Sequence, residues 1–212
     1  MLAFYLQHFN TVELNNSFYH LPSIKSFRNW RETVPQDFVF AVKASRFITH
    51  MKKLKAPKTS TRKFFTRVAK LRDKLGPVLF QLPPHWRMNV ERLQLFLERM
   101  PKNYRYAFEF REAAWFTDEI YELLKQHRAA LCIYHMNGYT SPLEVTADFV
   151  YLRFHGASST YGGSYSDSQL DAWAKHVKNW RGAGKEVFAY FNNDPEAHAV
   201  KNAKSLRRLL GP

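Results

Sequence analysis

Five apolar runs of this chain share one asymmetry: alternate residues are apolar throughout, while the residues between them turn polar toward the C-terminal end of the run. In "NTVELN" Val12 and Leu14 oppose Glu13 and Asn15, and in "DFVFAVKA" Phe38, Phe40 and Val42 oppose Val39, Ala41, Lys43 and Ser45. Val78, Phe80 and Leu82 oppose Gln81 in "PVLFQLP", Phe108 and Phe110 oppose Glu109 and Arg111 in "YAFEFR", and Val150, Leu152 and Phe154 oppose Tyr151, Arg153 and His155 in "FVYLRFHG". A period of two marks strands. Central strands of an open doubly wound sheet carry helices on both faces and are apolar on both. One apolar face and one polar-ended face fit a closed barrel instead, in which the outer face meets helices and the inner face leads to a mouth that holds the chemistry. Two further runs, "ALCIYH" and "EVFAYFN", are ambiguous in parity.

Segments of helical spacing lie between most of these runs: Ile24, Phe27 and Trp30; Phe64, Val68, Leu71 and Leu75; Leu93, Phe96, Leu97 and Met100; Ile120, Leu123, Leu124 and His127; Leu170, Trp173, Ala174 and Val177. Thr117 reads as an N-cap, and Asp194 as the cap of a last helix with Pro195 in its first position. Strands that alternate with helices and have no hairpin-type turns between them pair in parallel. The expected fold is therefore α/β, a TIM-type (β/α)8 barrel, in a single domain spanning residues 1–212.

Composition narrows the class. A lone cysteine, Cys132, excludes a disulfide framework and a cysteine-rich zinc site, and suits a reduced, cytoplasmic protein. No apolar run reaches membrane-spanning length, so no membrane partner is expected. The formal charge of +14 is uneven: from Lys43 to Lys74 there are twelve Lys or Arg against the one acid Asp73. Such a patch attracts phosphate-bearing partners.

The inward set Glu13, Asn15, Lys43, Gln81, Glu109, Arg111, Arg153 and His155 is expected to converge on the mouth, with one fixed positive charge in excess. An anion would balance it, and arginine is the natural bidentate partner of carboxylate or phosphate. Glu13, Lys43, Glu109, Arg111 and His155 are the catalytic candidates: two carboxylates for acid/base work, two cations, and an imidazole that titrates near neutrality. Binding candidates are Asn15, Gln81 and Arg153, together with Arg46 and His50 of "SRFITHMKKLK", Tyr161 and Tyr165 of "YGGSYS", and Asn192 and Asn193 at the end of the last strand. Backbone amides freed by Gly162 and Gly163 ahead of a helix suit phosphate. His50, His155, Glu13 and Glu109 are of metal-ligating type, but without a close-spaced motif no metal site is expected; no motif names a cofactor.

Seven ordered motifs, "FNTVELNNSFYHLPS", "FAVKASRFITHMKKLK", "GPVLFQLPP", "AFEFREAAWF", "TADFVYLRFHG", "YGGSYSDSQLDAWA" and "VFAYFNND", resemble the YecE-like family from about Phe4 to the C-terminus. The resemblance implies a TIM-type barrel and brings no reaction with it. Family members carry a further N-terminal strand and loop containing glycine and tryptophan. Relative to them this chain is expected to be truncated to about seven parallel strands, with Met1 inside the first helix and two strand edges left unpaired. The expected activity is that of an enzyme binding a small anionic substrate, phosphorylated or sugar-like. The alternative is a nucleic-acid-binding or nucleic-acid-processing barrel that uses the basic segment, with aromatic side chains for stacking.

Overall fold

The computed structural model describes residues 2–158 and 161–211; Met1 lies outside them. The chain folds as two compact units, one through Ala129 and one from Ala130.

The first unit holds four parallel strands in sequential order: β1 (Thr11–Leu14), β2 (Val39–Lys43), β3 (Leu75–Gln81) and β4 (Tyr106–Glu109). Its helices are α1 (Leu2–Leu6), α2 (Asn16–Tyr19), α3 (Ile24–Thr33), α4 (Pro57–Val68), α5 (Val90–Arg99) and α6 (Asp118–Gln126). Three of them start where a side-chain oxygen takes an otherwise unpaired amide: Ser23 accepts from Ser26 N–H, Asn89 from Arg92 and Thr117 from Ile120. The apolar stripes then lie on the aromatic face of the strands. Phe80 meets Phe96 edge-on at 5.2 Å and stacks on Phe108 at 5.3 Å.

One helical stripe ends earlier than its spacing suggests. Leu75 is the first residue of β3, because the 3₁₀ turn Ala69–Lys74 is broken at Arg72, whose φ is 52°. β2 and β3 then meet at a bulge, where the register moves from Phe40↔Leu75 to Val42↔Val78. Glycine is required at position 76 because a Cβ there would collide with Val39 Cγ1.

The second unit holds parallel β5 (Ala130–Met136), β7 (Phe149–Phe154) and β8 (Glu186–Phe191). A two-residue β6 (Tyr139–Thr140) pairs antiparallel with β5. This overturns the expectation that no hairpin-type turn separates strands. "MNGY" is an Asn-Gly hairpin, with φ of 49° at Asn137 and 76° at Gly138, the left-handed pair a type I′ turn demands. The β5-to-β7 connection is then completed by coil instead of a helix. Hydroxyls hold that coil: Ser141 Oγ accepts from Tyr134 N–H at 2.9 Å and Thr146 Oγ1 from Leu131 N–H at 2.7 Å.

Ile133, Val150, Leu152 and Phe154 pack with Leu170, Trp173, Ala174 and Val177 of α7 (Asp167–Gly182) and Leu206 of α8 (His198–Leu210). A reciprocal capping box between Ser166 and Gln169 opens α7. Asp194, however, does not cap the last helix. Its side chain makes no cap hydrogen bond, Pro195–Ala197 form a 3₁₀ turn, and Glu196 and Ala197 are left-handed before α8 begins at His198.

Four parallel strands in one unit and three in the other, joined mostly by helices, are the α/β repeat of a TIM-type barrel with seven of its eight strands among the described residues. Among the same residues no helix is long and apolar enough to cross a membrane.

Candidate functional site

Register gathers the first unit's candidates. Glu13 pairs with Ala41, Lys43 with Leu79 and Gln81 with Glu109, so with each step across the sheet the side chains of one face lie nearer the C-terminal strand ends. None of these polar groups stands in open solvent: Glu13 is 8% exposed and Glu109 0%, while Asn15, Lys43, Gln81 and Arg111 are half-buried. Arg111, just past β4, donates Nε–H to Glu109 Oε1, an ion pair that offsets part of the cost of burying a carboxylate.

A second group forms around Phe18. The hydroxyl of Ser17 donates to Leu14 C=O at 2.9 Å and Lys43 C=O at 2.6 Å, tying the end of β1 to that of β2. This places Phe18 beneath the Lys43 ammonium, 4.3 Å from ring centroid to Nζ, and edge-on to His50 at 5.1 Å. His50 sits on a π-helical turn (Phe47–Met51), its Nδ1 2.9 Å from Thr49 Oγ1. Burial first, then the charges of Lys43 and Arg46, lower its pKa from 6.5 to about 4. The imidazole is therefore neutral at physiological pH.

That shift sets a pH dependence. His50 titrates lower in the folded chain than in the unfolded one, so the unfolded chain takes up the proton first. The penalty is absent above pH 6.5, grows as pH falls toward 4 and saturates below. Chemical denaturation at pH 7 and 4.5 should show wild type losing on the order of 1 kcal/mol more stability than His50→Gln over that interval, after discounting for solvent screening of the partly exposed ring. Equal acid sensitivity would contradict the shift.

The turn leads into a basic loop with three left-handed non-glycine residues, Lys53, Leu54 and Ala56. Such backbone is costly and is held here by the buried side chain of Leu54, 1% exposed. Of the twelve basic residues from Lys43 to Lys74, eight are exposed. Others serve the fold. Arg67 Nη1 donates to Leu21 and Pro22 carbonyls at 2.7 and 2.9 Å, and the buried Lys74 ammonium donates to Gln36 C=O.

In the second unit Arg153 of β7 and His155 just past its end are 3% and 0% exposed, and Arg153 Nη1 lies 3.4 Å from His155 Nε2. A guanidinium has no acceptor, so it donates and the imidazole nitrogen accepts. Tyr161 is 45% exposed, and its ring meets His155 edge-on at 5.3 Å. Tyr165 is buried, and its hydroxyl is engaged by His135 Nδ1 at 2.9 Å and Gly156 N–H at 3.2 Å. Asn193 donates to Gly163 C=O and to Asn202 Oδ1, both at 2.9 Å, while Asn202 in turn holds both backbone groups of Tyr165. Tyr165 and Asn193 thus fasten the "YGGSYS" loop to α8. Asn192 is half-buried and gives its backbone N–H to Phe154 C=O. Among the described residues no three His, Cys, Asp or Glu side chains gather as a metal ion would require.

A match to the family described as "Protein of unknown function DUF72" runs over residues 1–212, and so takes in every strand end just described. The chain belongs to the DUF72 family. It is similar to the UPF0759 protein YunF of Bacillus subtilis, 28% identical over 243 residues, which cover 99% of this chain and 86% of that one. To the UPF0759 protein YecE of Escherichia coli it is 32% identical over 113 residues, 53% of this chain and 42% of the relative. These matches bear out the YecE-like resemblance. The crystal structure of a DUF72 family protein from Thermotoga maritima superimposes with a TM-score of 0.88 at 29% identity, covering 99% of this chain and 88% of that one. One from Enterococcus faecalis gives 0.85 at 20% identity with the same coverage, a likeness of fold alone. In this DUF72 chain the residue that sequence parity missed is His135, buried beside Tyr165 and Trp173; its run was too uniformly apolar to assign a face.

Proposed function

We propose that the DUF72 chain is an enzyme that binds a small anionic substrate, phosphorylated or sugar-like, at the C-terminal ends of its strands. The observation that carries this reading is the cluster of Lys43 and Arg46 around His50, whose pKa is lowered first by burial and then by the charges of these two cations. Two cations brought together in this way attract an anion. In this reading Lys43 and Arg46 capture the charged group, and neutral His50 supplies a hydrogen bond. Arg111, paired with Glu109, adds positive charge near the end of β4. Glu13 and Glu109 of the first unit are the carboxylates for proton transfer, with Asn15 and Gln81 as its further binding groups. In the second unit, taken by itself, His155, steadied by Arg153, is an imidazole suited to the same purpose, with Tyr161 against its ring and Asn192 just past β8. Location supports it too, since TIM-type enzymes carry their chemistry at strand C-terminal ends.

A thermal-shift series with inorganic phosphate, sugar phosphates and the free sugars tests this. Phosphate-bearing compounds should raise Tm, as ligand at 100 times Kd adds about 2.7 kcal/mol, and Lys43→Met should remove the shift. No shift with any of them would refute the reading.

The eight exposed basic residues flanking the π-helical turn and on the strained loop, α4 and the 3₁₀ turn favour a second reading, binding of a nucleic-acid backbone. Its mark would be affinity for generic oligonucleotides falling linearly in log–log form with salt. Absence of binding at low salt would remove it.

A further inference from the structure

The side chains that stand furthest out of the first unit rise among its positive charge. Tyr19, 74% exposed, and Met51, 69%, are the most exposed large apolar residues among the described ones, and Phe47 is 42% exposed. All three belong to one small structure. Tyr19 ends α2 and meets Phe18 edge-on at 4.9 Å, and Phe18 in turn meets His50 of the π-helical turn that begins at Phe47 and ends at Met51. Arg46 precedes that turn and Lys52, Lys53 and Lys55 follow it, all four exposed.

The backbone holds these side chains outward at a cost. The turn is closed by the i to i+5 bond from Lys52 N–H to Phe47 C=O at 2.9 Å; Ile48 and Thr49 are buried beneath it while Phe47 and Met51 stay outside. The left-handed Lys53, Leu54 and Ala56 then carry the lysines past the turn, and strain of this kind clusters where a chain must present side chains to a ligand. Lys52 Nζ stands over the Phe47 ring, 5.5 Å from its centroid, so a cation and an aromatic face are offered together.

Several anionic partners could meet this charge, and the apolar residues separate them. A lipid surface rewards a continuous apolar face. Here Ile48, Leu54, Val68 and Leu71 are all buried, and what remains outside, Phe47 and Met51, is bracketed by Arg46 and Lys52. An acidic peptide would be met by the lysines alone and gives exposed rings nothing to stack on. A duplex keeps its base faces inside its own stack. A single strand supplies both halves of the match: phosphates for the lysines and unstacked bases for the rings.

We propose that this patch binds single-stranded nucleic acid, with the backbone along Lys52, Lys53 and Lys55 and bases stacked on Tyr19 and Phe47. The inference rests on the nucleic-acid reading of the basic segment and deepens it from backbone contact to a preference for unpaired strands.

Fluorescence anisotropy on the full chain at low salt tests this with labelled oligo-dT and a labelled duplex of equal phosphate number, and with polyglutamate and phosphatidylserine-containing vesicles as competitors. Oligo-dT should bind several-fold tighter than the duplex. Tyr19→Leu and Phe47→Leu keep apolar bulk and remove the ring; each should weaken oligo-dT binding roughly fivefold or more and leave duplex binding unchanged. Both positions are exposed, so the fold does not depend on either ring. Lys53→Gln, by contrast, should weaken both nucleic acids alike. Equal or tighter binding of the duplex, or ring variants that hold oligo-dT as wild type does, would overturn the inference while leaving backbone binding in place. Displacement by vesicles or polyglutamate at a lower charge concentration than by unlabelled oligo-dT would overturn it in favour of a lipid surface or an acidic peptide. Absence of binding to either nucleic acid would remove the underlying reading as well.

Discussion

Arg111→Ala is expected to destabilise the DUF72 chain by about 3–5 kcal/mol, a cost set by what it leaves behind. Glu109 is 0% exposed and shares an ion pair with Arg111. Removing the guanidinium takes a short ion pair away from a carboxylate held out of water, and the folded state bears that loss. Two further variants separate this cause from lost packing. Glu109→Leu with Arg111→Met removes both charges and should recover most of the stability, since an apolar pair of similar volume avoids the desolvation cost. Glu109→Gln keeps the volume and removes one charge, so it should fall between. Urea titrations of the four proteins decide the matter, and a double variant no more stable than Arg111→Ala would contradict the account.

Trp115→Ala should cost a comparable ~3–5 kcal/mol. Its indole is 1% exposed, stacks on Phe110 at 4.9 Å with planes 5° apart, and meets Trp86 edge-on at 5.4 Å. Nε1–H also donates to Trp86 C=O at 2.8 Å, pinning the segment after β3 to the turn after β4. Trp115→Phe keeps a stacked ring but orphans that carbonyl, and should cost about 1–3 kcal/mol. This contact lies next to the Glu109–Arg111 pair in sequence, so thermal melts of both Trp115 variants also report how firmly the strand end is held. A Trp115→Ala protein melting within a degree or two of wild type would show that the stack carries no stability.

Much of the fold was legible because side-chain period is a local property. Parity alone placed Glu13, Glu109, Arg153 and His155 away from solvent, and all four are at most 8% exposed. The stripe of α7 and the cap at Thr117 were legible for the same reason. What was missed depends on backbone states that apolar pattern does not encode. Asn137-Gly138 is a local turn signal inside an otherwise parallel scheme, and the left-handed Arg72 stops a helix whose stripe formally continues to Leu75. Asp194 looked like a cap, but Pro195 and two left-handed residues delay the helix. Of the candidate site, the roles of Tyr165 and Asn193 in fastening a loop rest on contacts with Asn202, distant in sequence, which no spacing rule foretells.

The anion reading meets its most direct test in the titration of His50 followed by NMR, assigned by comparison with His50→Gln. Without ligand its pKa is about 4, held down by burial, Lys43 and Arg46. An anion lodged between those two cations would offset their charge and favour the imidazolium, so the pKa should rise when chloride is exchanged for inorganic phosphate at constant ionic strength. A pKa that stays near 4 in saturating phosphate would contradict the account.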